Sequence, residues 1–206
     1  MKSLPTSYTA ARKWGIILLL ALASLGAALL SMSFGSTQVP FSEILTALMG
    51  GETQAYNIVV YARLPRTLAA LLCGSALAVG GVIIQGVLGN PLAGPNIIGV
   101  NAGAGLGAVL CAALIPTSMT AVPVAAFLGA LGACMLVYTL ARRTGASRIT
   151  LVLAGVAISS MLSAAIDAVS ILFPEAALGA GSFMVGRLSG VTVAALKVPA
   201  LLSLLA

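Results

Sequence analysis

From Thr67 to Ala141 the chain carries no charged residue. That gap limits the possible folds more than any other feature. A helix rises about 1.5 Å per residue and needs about 20 residues to cross the hydrocarbon core of a bilayer, so the block has room for three crossings. A soluble core of this length without surface charge would be insoluble. Over all 206 residues, 60% are hydrophobic and 7% are charged, whereas a soluble domain carries about 25% charged residues. The expected fold class is an all-α polytopic membrane protein.

Five complete spans are expected: Trp14–Phe34, Pro65–Leu88, Asn96–Ile115, Ala121–Ala141 and Ile149–Phe173. The first follows Lys2, Arg12 and Lys13 and is longer than the apolar region of a signal peptide, about 7–15 residues, so it reads as a permanent anchor. Between the first two spans, the segment from Pro40 looks like a short amphipathic helix with Ser42 as a possible cap, ended by Gly50-Gly51. Pro65 suits a first helical turn, Asn90-Pro91-Leu92 breaks the chain, and Pro174 is expected to stop the fifth span. A glycine-rich stretch runs to Gly190. The apolar run from about Lys197 to Ala206 is too short to cross, so the sequence reads as ending inside a sixth span. The whole of residues 1–206 is expected to be one transmembrane domain, truncated at its C-terminus. Gly99, Gly103 and Gly107, and likewise Ala121, Ala125, Gly129 and Ala133, form smooth stripes that favour a dense helix bundle.

The net charge of +6 does not point to nucleic acid, because the bases are scattered between apolar spans instead of forming a stripe. They fit membrane topology better. With the N-terminus in the cytoplasm, Lys2, Arg12, Lys13, Arg142, Arg143 and Arg148 lie inside, and Arg63, Arg66, Arg187 and Lys197 lie outside. Cys73, Cys111 and Cys134 have no metal or disulfide spacing and read as packing residues. There is no histidine, which removes the usual general base and commonest metal ligand. No Gly-Lys pair is present, so a phosphate loop is absent. No catalytic residues, no metal site and no cofactor on this chain are expected.

Several polar residues remain. Asp167 lies about 27 Å along the fifth span from Ile149 at ~1.5 Å per residue. It is either a boundary carboxylate or part of a path-lining stripe with Ser159 and Ser163. Serines can equally bond their own helix backbone. Arg63 and Arg66 read as interfacial residues that snorkel to lipid phosphates beside a helix start. Arg187, in the glycine-rich outer segment, is placed to pair with Glu175 or Asp167.

The motifs Arg63–Ala69 (ArgLeuProArgThrLeuAla), Asn90–Ala93 (AsnProLeuAla), Gly99–Ala104 (GlyValAsnAlaGlyAla) and Leu153–Ala157 (LeuAlaGlyValAla), in this order and spacing, resemble the permease family of ABC importers for iron-siderophores, haem and cobalamin. The resemblance covers nearly everything after the first span. It implies the N-terminal part of a ten-span permease in a bacterial cytoplasmic (inner) membrane, paired as a homodimer or heterodimer with a second permease subunit. Two cytoplasmic ATPase subunits would hold ATP and magnesium, and a periplasmic or lipid-anchored binding protein would deliver cargo, with ferric siderophore favoured. Arg63 and Arg66 match the family's docking arginines, whose two-pronged forks suit an acidic partner, with Arg187 a further candidate for docking the same partner. Asn90 and Leu92 match its cytoplasmic gate, and Ser147 matches a second gate segment loosely. Phe183 and Met184 stand where the family often has a tryptophan. An ion-coupled secondary transporter or channel is the alternative, disfavoured because the depths of the spans are uncharged.

Overall fold

The computed structural model describes residues 10–205 apart from Glu52, Thr117, Met119, Thr120, Thr144 and Ala146. Lys2 and Ala206, used above for topology and for the sixth span, lie outside the described residues, as do Thr144 and Ala146 of the basic loop. Regular structure among the described residues is helical: α1 (Ala10–Ser33), α2 (Phe41–Leu48), α3 (Leu64–Leu88), α4 (Val100–Leu114), α5 (Ala121–Arg143), α6 (Arg148–Leu172), α7 (Pro174–Met184) and α8 (Val193–Leu205). A π-helical turn, Ile58–Arg63, runs directly into α3, and a 3-10 turn, Pro95–Ile98, precedes α4.

Among the described residues, four helical stretches are long and apolar enough to cross a membrane: α1 with 24 residues, Ile58–Leu88 with 31, α5 with 23 and α6 with 25. Their large side chains face outward, Trp14, Leu19, Leu77, Val82, Leu128 and Met135 among them. Water would penalise such a surface, while acyl chains match it. The expected third span is shorter than the sequence suggests. Pro95 starts a 3-10 turn and Gly99 takes a left-handed φ of 77°, so α4 begins only at Val100. Its 15 residues cover about 22 Å of a core about 30 Å thick. The last helix starts at Val193, ahead of Lys197, and carries Pro199 within it.

One further expectation is corrected. Pro40, not Ser42, occupies the N-cap of α2, with its carbonyl accepting from the N–H of Glu43 and Ile44. Pro174 stops the span as expected, α6 ending at Leu172. It opens α7 at a first-turn position, where its missing N–H has no helical partner to lose. Pro65 has the opposite problem, because it lies inside a continuous helix. Its ring would strike the carbonyl four residues back and it cannot donate the usual bond. The widened turn before it, in which Leu64 N–H donates to the Val59 carbonyl five residues back, is the kind of local expansion that accommodates such a proline.

The chain forms two compact units, one of Met1–Gly74 with Leu188–Ala206 and one of Ser75–Arg187. In the first, α2 lays Ile44 and Ala47 against Met32, Val39, Ala55 and Val59. In the second, α4 packs on α5, α6 and α7. The two small-residue stripes meet. A Cβ added at Gly103 would collide with the Gly129 carbonyl and the Ala133 side chain, and one at Gly107 with the Ala125 carbonyl. Ala108, Val109, Ala126 and Ala180 fill the adjoining core. Lipid is as apolar as leucine, so such helices are held by close van der Waals contact and not by escape from water.

Candidate docking, gate and path residues

The structure separates the two arginines that the sequence pairs. Arg63 is 9% exposed. Its Nη1 donates to the carbonyls of Met32 at 2.5 Å and Ser33 at 2.9 Å, and its Nη2 donates to the carbonyl of Thr37. These oxygens belong to the end of α1 and the turn after it, where helical carbonyls lack partners and the helix dipole is negative. The fork therefore faces into the protein. Arg66, three residues on, is exposed. Thr67 beside it is buried and shares a hydroxyl contact of 3.2 Å with Ser31 of α1. Arg187, also exposed, follows α7, and its N–H donates to the Ser182 carbonyl at 3.1 Å.

The expected gate residues come together at the end of α3. Gly89 has a left-handed φ of 59°, and Asn90 N–H donates to the Gln85 carbonyl at 3.2 Å, so the helix is closed by its own carbonyl. Asn90 Oδ1 then accepts from Leu92 N–H at 2.9 Å, a side-chain turn that asparagine favours. This leaves the Leu92 side chain 88% exposed. Ser147 is the N-cap of α6, its Oγ accepting from Thr150 N–H at 3.0 Å. The next residue, Arg148, lays its guanidinium against Gly89, which brings the two expected gate segments side by side. Ser147→Ala should weaken the first turn of α6 by about 1 kcal/mol. Faster hydrogen exchange at the α6 N-terminus, with the rest of α6 unchanged, is the expected reading.

The polar residues of α6 divide. Ser159 is half-buried, donates to the Gly155 carbonyl at 2.7 Å and faces Gly99. Ser163 and Asp167 are exposed and share an open face with Ser160. Ser160 and Ser170 donate to carbonyls four residues back, at 3.0 and 2.8 Å. For these serines, back-bonding to the helix is the placement found. Between α4 and α7, Asn101, Ala104, Gly105, Phe183 and Met184 line an open cleft of about 370 Å³. Asn101 Nδ2 there donates to Asn96 Oδ1 at 2.5 Å. This link escaped the sequence reading because Asn96 was assigned to a helix it precedes. Among the described residues, no group of three His, Cys, Asp or Glu side chains could hold a metal ion.

Comparison with known proteins agrees with the resemblance carried by the motifs. The profile of the FecCD transport family matches residues 18–206. The Fe(3+) dicitrate transport system permease protein FecD of Escherichia coli is 37% identical over 179 residues, 86% of this chain and 55% of that protein. The ferric enterobactin transport system permease protein FepD of Escherichia coli is 40% identical, over 78% of this chain and 48% of that protein. A heme-iron transport system permease, IsdF of Staphylococcus aureus, assigned as probable, is 32% identical over 74% of this chain. Among solved structures, a transporter assigned to the metal-chelate ABC type, in an inward-facing conformation, superposes with a TM-score of 0.63 at 26% identity, over 81% of this chain and 50% of that one. The chain thus spans about half the length of the curated relatives it matches.

Proposed function

Because the chain belongs to the FecCD transport family, we propose that it serves as the transmembrane permease subunit of an ATP-driven importer whose cargo is a ferric siderophore or a related iron chelate. The observation that carries this reading is the family match from residue 18 to residue 206. Relatives named for ferric enterobactin, Fe(3+) dicitrate and heme-iron support this choice of cargo. The permease sits in a bacterial inner membrane with its N-terminus in the cytoplasm and pairs with a second permease subunit. ATP and magnesium act on two partner ATPases, and a binding protein delivers the cargo.

Transport proceeds by alternating access. Loaded binding protein lands on exposed arginines, Arg66 and Arg187, whose forks suit carboxylates. Substrate enters between two permease copies along a face that includes Ser163 and Asp167, with Ser159 behind them. Movement driven by the ATPases then opens a gate built from Asn90, Leu92 and the Ser147 helix start. The adjoining of Gly89 and Arg148 supports a gate in which both segments move as one.

Uptake of labelled ferric siderophore into membrane vesicles carrying the permease, its ATPase and the loaded binding protein tests the proposal. Accumulation should require internal ATP and the binding protein together. Accumulation driven by a proton gradient alone would replace the importer with an ion-coupled carrier.

A further inference from the structure

We infer that Arg63 is a positioning residue, a clasp that holds the turn between α1 and α2 against the π-helical turn, and so fixes the base from which Arg66 projects. The use made of Arg66 rests on the docking reading above, whereas the clasp itself rests on geometry alone.

A guanidinium offers five donors in a planar fork and no acceptor. Burying one is costly unless its hydrogen bonds are made. Here they go to the carbonyls of Met32, Ser33 and Thr37, so one side chain ties the last turn of α1 to the chain beyond it. Two residues past Thr37, Val39 is 5% exposed within the cluster of Met32, Ile44, Ala47, Ala55 and Val59. The clasp and the core therefore close the same turn from two sides. Gly35 completes the fit, because a Cβ there would stand 3.0 Å from Nη2, pressing on the fork. The Ser31–Thr67 hydroxyl contact ties α1 to the chain just beyond Arg66. Arg66, three residues on from Arg63, is exposed.

The test uses the chain with Cys73, Cys111 and Cys134 changed to alanine and Val39→Cys as the reporter, labelled with a maleimide in permeabilised membranes. Labelling of the parent should be slow. Arg63→Gln should raise the rate about tenfold or more, because local opening exposes the thiol. Arg63→Lys, which keeps the charge but cannot span three carbonyls, should give an intermediate rate. Gly35→Val leaves both arginines in place yet displaces the fork, so it too should raise the rate. Val109→Cys, buried in the other unit, should stay slow in every variant, showing that the opening is local. If Arg63→Gln does not accumulate, Arg63→Lys and Gly35→Val carry the reading. Slow labelling at Val39→Cys in all these variants would overturn the clasp, and so would equal acceleration at Val109→Cys. Since no partner is present, failure of the docking reading would leave this result unaffected.

Discussion

Gly103→Val is expected to destabilise the Ser75–Arg187 unit by about 3 kcal/mol or more, the upper end of the cost of overpacking a close-packed site. At Gly103 the first atom to be struck is the main-chain carbonyl of Gly129, with the Ala133 side chain beyond it. A flexible side chain could swing aside, but a carbonyl inside α5 cannot move without shifting the helix. The strike is also reciprocal, since Gly129 faces the Gly103 carbonyl, so neither helix has slack to yield. Separating the helices forfeits dispersion contacts over the whole seam, and lipid provides no compensating drive to keep them together. The folded fraction should fall roughly a hundredfold relative to the unfolded one, each 1.4 kcal/mol being tenfold. Gly132→Ala is the matched control: nothing lies within 4 Å of a Cβ there, so the change should be neutral or gain up to about 1 kcal/mol of helix propensity. Thermal unfolding of detergent-solubilised protein, followed by size exclusion, separates the two variants. A parent-like midpoint for Gly103→Val would mean that α4 and α5 do not approach as closely as they do here.

The same residues show what a sequence can and cannot disclose. Gly103, Gly107, Gly129 and Ala133 recur at four-residue spacing, and one period is enough to predict a smooth face. That the two faces meet each other is a tertiary fact consistent with the pattern. The apolar lengths of α1, α3, α5 and α6 were likewise readable, because a bilayer imposes a length on any helix that crosses it. The start of α4 was not, since hydropathy is blind to the left-handed Gly99 that cuts the expected span short. Pro174 was read as a stop, and the same ring that ends one helix suits the first turn of the next. The inward turn of the Arg63 fork is the least legible feature. Its sequence context gave it the same standing as Arg66, and nothing in the motif says which fork turns inward. The one available signal was Pro65, a proline two residues later inside an apolar helix, which calls for a local widening of the turn. Widening changes the angular register of the residues in it, and Arg63 closes that widened turn.

On the importer function proposed above, Arg66→Glu is expected to lower the affinity of the permease for a loaded binding protein about a hundredfold or more, with uptake at limiting binding protein falling in proportion. The size follows from the change in sign. Losing a contact at the rim of an interface has a modest cost, but placing like charges opposite one another costs several kcal/mol. Arg66 is exposed while its neighbour Thr67 is buried, so a change at 66 reaches a partner without disturbing the core below. Arg66→Gln should therefore fall between Arg66→Glu and the parent. The penalty should shrink as salt is raised, because exposed charges are screened over about 8–10 Å at physiological ionic strength. A reciprocal acid-to-base change on the binding protein should restore Arg66→Glu and should leave Arg63→Glu uncorrected, since the Arg63 fork is held by three carbonyls of its own chain. Surface-bound permease dimers in nanodiscs, titrated with loaded binding protein at two salt concentrations, give all of these quantities. Unchanged affinity in Arg66→Glu at low salt would remove Arg66 from the docking surface and leave Arg187 to be tested in its place.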